Sequence, residues 1–329
     1  MVSTSTHSRA IDVQLRRDLV ATGLDDKAIR GLLRSGVLHR VRRGAYVDAA
    51  SWRELGGHAQ YATVCHAVYQ QAKSELVLSH VSAANEYGAP LLRADLTQVH
   101  ATRLDERGGR REGGVVQHRG LLLAEDIVEI EGRRITSPTR TCLDVTTVMD
   151  PESALGVVNH LLHEGLTTLD ELRARYQRGE TMISAGGERL TAMAHWPATL
   201  TTEHVLAMAD ARCESLAESR AIYLFWRAGL PIPIPQFEVR DQDGRLVGRV
   251  DFAWPDHGVF LEVDGKVKYT TYVAPGETAA DAVIREKRRE ERIVELTGWR
   301  CIRITWSDLE SPVRTIERLR RALALGPRD

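Results

Sequence analysis

The chain has 329 residues, 43% of them hydrophobic and 27% charged, with a formal net charge of −1. That length and composition fit two or three ordinary globular domains, and the balanced charge excludes a global basic signal for nucleic acid, so any such surface must come from local clustering. Cys65, Cys142, Cys213 and Cys301 lie far apart with no C-x-x-C pair, which argues against a zinc ribbon and for buried thiols in a reducing cytosol. The first ten residues have no apolar core of a signal peptide, and no window approaches about 18 apolar residues. The expectation is therefore a cytoplasmic protein with no membrane span.

Ile11, Val13, Leu15, Leu19 and Val20 predict an amphipathic first helix, broken at Thr22 and Gly23. Asp25 or Asp26 caps a second helix over Lys27–Arg34, with Ile29, Leu32 and Leu33 as its apolar face. Residues 37–47 then alternate and carry a basic run, with Gly44 at the bend. Helix, turn, helix and basic hairpin is the layout of a winged helix-turn-helix over residues 1–50. Lys27, Arg30 and Arg34 would face DNA from the second helix, and Arg40, Arg42 and Arg43 would reach phosphates from the wing. The competing reading is a protein-docking domain whose arginines are only solvated. The stretches GLDDKAIRGLL and RSGVLHRVRRGAYV resemble the N-terminal domain of AbiEi-family antitoxins of type IV toxin–antitoxin systems. That resemblance implies a DNA- or partner-binding module, with a toxin or defence-system protein as the partner.

Residues 51–200 read as a mixed α/β scaffold. Helices are expected over Tyr61–Lys73 and Leu76–Gly88, a strand over Leu96–Thr102, and a basic loop from Arg103 to Arg111. Ser79 and His80 invite a nucleophile reading, but neighbours in sequence do not face each other on a helix and no third orienting group is identifiable, so packing or capping is expected. His118 and Arg119 are expected to be structural. RRITSPTRTCLDV reads as strand, turn and helix, with Pro138 at a first helical position. Further helices are expected over Ala154–Leu162 and Thr168–Tyr176. This region is similar to the middle of the same antitoxin-like proteins, and a boundary is expected between Gly179 and Thr202.

The domain over residues 201–329 begins with a helix over Arg212–Gly229. Glu218 falls on its apolar face with Ile222 and Phe225, where a carboxylate is costly unless paired or metal-linked. The alternatives are a salt bridge from Glu218 to Arg240, or Glu214 in its place. A strand over Arg245–Ala253 delivers Asp251, and residues 255–258 supply turn chemistry. Trp254 then pairs with Val259, and counting back sets Asp251 opposite Glu262. Alternation puts Val259, Leu261 and Val263 in a core, and Glu262, Asp264 and Lys266 on the other face. Facing carboxylates need a reason, and a divalent cation bound through oxygen is the simplest, set against a merely solvated face. Lys268 follows close by, and Pro275–Gly276 predicts a mobile loop. A polar helix over Ala282–Thr297 carries Lys287, Arg288 and Arg289, read either as a solvated helix or as a phosphate-contacting one. A strand over Trp299–Trp306 and a helix over Pro312–Leu325 close the domain.

Asp251 and the Glu262-Val263-Asp264 run, preceded by a helix carrying Glu218, resemble the PD-(D/E)XK nuclease superfamily. EVDGKVKY, REKRREER and GWRCIRITWSDL are similar to its branch related to very-short-patch-repair endonucleases, with coverage of roughly residues 205–325. The resemblance implies a restriction-endonuclease-like α/β sandwich and metal-dependent hydrolysis of DNA. Asp251 and Glu262, with Asp264, would hold Mg²⁺ or Mn²⁺, and Glu218 would complete the site. The superfamily usually has lysine where this chain has Asp264, so the lysine role would pass to Lys266 or Lys268, or Asp264 would be an extra ligand; otherwise the site is inactive. Lys287, Arg288 and Arg289 would grip the DNA backbone. The rival reading is a non-catalytic DNA-binding antitoxin or regulator with an inactive nuclease fold.

Overall fold

The computed structural model describes residues 10–104, 110–118, 122–178, 182–183, 189–190, 193–196, 199–264 and 278–324. The chain divides into two compact units, Met1–Ala207 and Met208–Asp329.

The first unit opens with β1 (Gln14–Leu15), α1 (Arg16–Ala21), α2 (Asp26–Arg34), β2 (Leu38–Arg42) and β3 (Ala45–Asp48), whose strands form a sheet in the order β1-β3-β2. The Asp25 carboxylate caps α2, accepting the Ala28 N–H at 2.7 Å. Gly44, at φ +76°, makes the turn of the basic hairpin. The expected first helix starts later than its apolar residues suggest. Val13 and Leu15 flank exposed Gln14 and pack with Ala45 and Val47, a period of two that belongs to a strand. Only Leu19 uses the helical spacing, against Ile29 of α2.

After α3 (Ala49–Glu54) and α4 (Gly57–Gln71) come β4 (Leu76–Leu78), α5 (His80–Glu86), β5 (Val99–Arg103), β6 (Arg110–Glu112), β7 (Val115–His118), β8 (Ile127–Ile130) and β9 (Arg133–Thr136). The strands make a six-stranded sheet in the order β6-β7-β5-β4-β9-β8. The helix expected over Leu76–Gly88 is thus strand and then helix. Leu76, Val77 and Leu78 are all buried, and a strand covered on both faces shows no alternation to mark it. Helices α6 (Pro138–Val145), α7 (Pro151–His163) and α8 (Leu169–Gln177) follow, then a short β10 (Met182–Ile183) and β11 (Arg189–Leu190) pair and α9 (Leu200–Met208). Pro138 sits in the first turn of α6 behind the Ser137 cap, as its sequence predicts.

Two polar clusters lie inside this unit. In one, Arg140 reaches Asp144 at 2.7 Å and Asp126 at 3.3 Å, and Arg175 makes two bonds to Asp126, at 2.9 and 2.7 Å. In the other, His80 stacks on His118 with ring centroids 3.6 Å apart, and His118 Nε2 shares a 2.9 Å hydrogen bond with His100 Nδ1. Ser79 Oγ lies 2.9 Å from His80 Nδ1 and accepts the Thr102 hydroxyl. Ser79 is fully buried and makes no side-chain cap to α5; contrary to the expectation that these neighbours would not face each other, its oxygen meets His80, whose Nδ1 also lies 3.8 Å from Asp144.

Burial pushes all three imidazoles below the usual histidine range: His100 to about 4, His118 to about 3, and His80 well down. The unfolded chain takes up these protons near pH 6.5 while the folded chain resists them, so stability is full above that pH and falls as the pH drops towards 4 and 3. The expected slope is up to about 1.4 kcal/mol per pH unit per histidine. Urea midpoints followed from about pH 7.5 to about pH 4.5 should show this loss, and His118→Gln should flatten it; equal slopes in the two proteins would refute the assignment.

The second unit contains α10 (Leu216–Arg227), β12 (Ile234–Arg240), β13 (Leu246–Trp254), β14 (Val259–Asp264), α11 (Ala279–Thr297), β15 (Arg300–Thr305), α12 (Trp306–Glu310) and α13 (Pro312–Ala324). Its sheet runs β12-β13-β14-β15, antiparallel except for the parallel β14–β15 pair. Val259, Leu261, Val263, Phe252 and Trp254 pack with Phe225 of α10 and Leu319 of α13. On the opposite face Val250, Ala253 and Phe260 pack under Ile293 of α11. The expected α/β layering follows from this two-sided burial; the five-residue α12 was not expected, although Thr305 and Asp308 form a capping box at its start.

Candidate functional site

The turn at residues 255–258 sets the register. Trp254 pairs with Val259, Ala253 with Phe260 and Phe252 with Leu261, as the turn chemistry predicts. Phe252–Leu261 is the last of these pairs. One step further on, Asp251 Oδ2 accepts the backbone N–H of Val263 at 2.7 Å. On the other side of β13, Pro235 pairs with Phe252 and Phe237 with Val250, and Gln236 between them adopts a left-handed φ of +50°. The facing pattern reverses here: Val250 and Ala253 share the α11 face, whereas Phe252 and Trp254 take the other. Asp251 sits at that reversal. A non-glycine residue held at such a φ costs roughly 1–3 kcal/mol and persists only where its surroundings fix it.

What fixes Gln236 is Glu218. The Gln236 side-chain N–H₂ donates to Glu218 Oε2 at 2.8 Å. The same carboxylate accepts the Glu214 N–H at 3.0 Å and the Ser215 hydroxyl at 2.6 Å, while the Ser215 oxygen accepts the Glu218 N–H at 3.1 Å. This reciprocal cap starts α10 and holds Glu218 in place at 2% exposure. Burial pushes the Glu218 carboxyl above the usual range, and the nearby Asp251 charge pushes it further; the hydroxyl and amide donors pull it back. Arg240, the alternative partner, pairs with Glu238 instead, and Glu214 pairs with Arg249 at 2.7 Å.

Glu262, like Asp251, is 7% exposed. Arg289 of α11 meets Glu262 Oε1 at 2.6 Å, ties to Glu286, and donates to the Arg249 carbonyl. Burial works against the Arg289 charge, yet Glu286 and Glu262 hold its pKa above the ordinary arginine value. Asp264, less buried, lies 3.4 Å from Arg303, which also holds Glu290. Lys287 and Arg288 are exposed on α11, with Lys287 3.9 Å from Glu291. Lys266, Lys268 and the Pro275–Gly276 turn lie outside the described residues. Among the described residues no three His, Cys, Asp or Glu side chains are grouped as a metal-binding set.

The carboxylates expected to act together are therefore divided. Glu218 and Asp251 are neighbours, Glu262 is neutralised by Arg289, and Asp264 is drawn to Arg303. Arg289, expected on a phosphate, is committed to the acids. Sequence reasoning did not find Gln236, Arg249 or Arg303. None carries a spacing signal, because each is brought in by a different strand.

Gly248 lies under α11, where a Cβ would meet Ile293 Cδ1 at 3.0 Å and Arg289 Cγ at 3.2 Å. Gly248→Ala should therefore push Arg289 off its seat and destabilise the second unit by roughly 1–3 kcal/mol. A denaturation midpoint equal to that of the parent protein would show that the helix yields freely.

In the first unit Lys27, Arg30, Arg34, Arg40 and Arg43 are all exposed. None of their side chains has a hydrogen bond or salt bridge to a described residue. Arg42 differs: it is half-buried, burial lowers its pKa, and it reaches the Gly113 carbonyl at 3.5 Å.

Taken together, these elements define a mixed α/β protein of more than one domain. No protein-family model matches the chain. It is similar to two Mycobacterium tuberculosis proteins, the uncharacterized protein Rv2248 of strain ATCC 25618 / H37Rv and the uncharacterized protein MT2308 of strain CDC 1551 / Oshkosh. Each is 28% identical over 197 residues, which is 59% of this chain and 63% of the relative. The chain thus matches less than two thirds of the length of these relatives. Among solved structures, the crystal structure of the RV2827C protein from Mycobacterium tuberculosis aligns with a TM-score of 0.38 and 15% identity, over 70% of this chain and 79% of that one. Among the described residues no helix is long and apolar enough to cross a membrane.

Proposed function

We propose that this chain is a metal-dependent DNA endonuclease with an N-terminal DNA-binding module. The observation that carries the reading is the placement of Glu218, Asp251 and Glu262. A helix and two adjacent strands each bury one carboxylate at no more than 7% exposure. Buried carboxylates are expensive unless they have work or strong partners.

The donor chemistry fits Mg²⁺ or Mn²⁺, since hard cations take oxygen ligands and Mg²⁺ is held through one or two carboxylates together with substrate phosphate. Asp251 and Glu262 are the residues that would hold the ion, with Glu262 released from Arg289. When bound, the ion supplies Lewis-acid stabilisation of the charge that develops at phosphorus. The protein's own groups do the rest. Gln236 and Ser215 orient Glu218 beside Asp251. Glu218, with its raised pKa, is suited to carry a proton at the site. Arg289, once free of Glu262, offers a planar cation for a phosphate. The exposed Lys27, Arg30, Arg34, Arg40 and Arg43 supply salt-dependent attraction to a DNA backbone.

One observation favours the rival, a non-catalytic DNA-binding regulator: the Glu262–Arg289 ion pair at 2.6 Å already neutralises a site acid without any metal. Incubating supercoiled plasmid with Mg²⁺ or Mn²⁺ separates the two. Nicking that disappears in both Asp251→Asn and Glu262→Gln supports the enzyme. A salt-sensitive shift of duplex DNA without cleavage, lost in Arg40→Ala/Arg43→Ala, sinks the nuclease and leaves the regulator.

A further inference from the structure

The first unit contains a cavity of about 500 Å³ beside β5, β6 and β7. Volumes of this order are typical of sites for small organic ligands. Val81, Val116 and Met149 give it apolar wall, and His100 and His118 line it with their hydrogen-bonded imidazoles. His80 backs His118 from inside the fold.

The polar groups around the cavity are unequally satisfied. Asp95 accepts both the N–H and the hydroxyl of Thr97, and Asp150 accepts both the N–H and the hydroxyl of Ser153. Arg93 pairs with Glu152 at 2.8 Å and approaches Asp150 at 3.9 Å. Arg111 is exposed on β6 and has no hydrogen bond or salt bridge to a described residue. Two demands are therefore unmet among the described residues: one for an anion at Arg111, and one for a donor at Gln98 Oε1, a buried acceptor on the cavity lining with no hydrogen-bond partner.

The imidazole pair asks for something different. Burial keeps both rings uncharged at neutral pH. Two neutral imidazoles joined by one hydrogen bond retain one donor and one acceptor at their outer nitrogens. That combination, next to apolar wall, matches the edge of an uncharged heterocycle better than a second anion or a cation. Backbone geometry adds one observation: Arg93, on the cavity lining, holds a left-handed φ of +53°. Strain of this kind collects at ligand sites.

We propose that this cavity binds a nucleoside monophosphate, with the phosphate on Arg111 and the base against the imidazole pair and the apolar wall. This does not rest on the nuclease reading, because every residue it uses belongs to the first unit.

Calorimetric titration of the full chain with AMP, GMP, CMP and UMP tests it, with adenosine and inorganic phosphate as component probes. The expected result is one saturable site for at least one nucleotide, tighter than for either component. Arg111→Gln, at an exposed position, should weaken it about tenfold or more, the scale of a lost charge-assisted hydrogen bond. Val148→Trp, at the 41% exposed Val148 on the cavity wall, should fill the space and remove binding while leaving the denaturation midpoint unchanged. No saturable binding of any of the four, unchanged affinity in Arg111→Gln, or inorganic phosphate binding as tightly as the nucleotides would each overturn the proposal.

Discussion

Replacing Arg140 with methionine is expected to destabilise the first unit by about 3–5 kcal/mol, the usual result of removing one partner from a buried ion network. Arg140 is 1% exposed and serves both Asp144 and Asp126, which are each 2% exposed. Burial works against its charge, and the two aspartates more than offset that, holding its pKa above the ordinary value. Its guanidinium also lies 5.2 Å from the Trp196 ring centre. Asp126 keeps Arg175 after the change, but Asp144 loses the guanidinium that bonds its Oδ1, and Asp144 Oδ2 has no hydrogen-bond partner.

Burial already pushes the Asp144 carboxyl up, and without Arg140 it must take a proton to stay folded. A raised carboxyl pKa contributes stability below its unfolded value that is lost as the pH rises. The deficit of Arg140→Met should therefore grow as the pH rises above the unfolded value of 3.8. Adding Asp144→Asn should recover part of it. Hydrogen exchange resolved by peptide reads the first unit separately from the second. A deficit below about 0.5 kcal/mol would mean the network is dispensable.

Asp251→Asn is expected to abolish metal-dependent cleavage, by about a thousandfold or more. That is the scale of the several kcal/mol of transition-state stabilisation a bound divalent ion supplies. The substitution suits the site because the asparagine oxygen can still accept the Val263 N–H that Asp251 now accepts at 2.7 Å. It removes charge with little change of shape. It should also lower the pKa of Glu218, since Asp251 is one of the groups that raise it. The alkaline limb of any residual activity, where Glu218 loses that proton, should then move to lower pH. Cleavage that persists at parental rate in Asp251→Asn would dismiss this acid from the reaction, whatever the fate of Glu262→Gln.

The strand–turn–strand over residues 246–264 was legible because its signals are local. A Pro-Asp-His-Gly turn sets the register, and alternation then assigns Leu261 and Val263 to the core. Asp25, as a cap, and Pro138, at a first helical position, announced their helices for the same reason, through short-range signals. Three features were not legible. The facing pattern of β13 reverses at Asp251, and Gln236 on the neighbouring strand takes a left-handed backbone angle that nothing in its side chain advertises. Arg289 reaches Glu262 from 27 positions away. His80, His100 and His118 meet from three elements. Periodicity tells which face a side chain takes, and composition tells which charges exist. Which cation closes on which carboxylate depends on how a helix lies over a sheet, and that is settled by packing between segments distant in the chain.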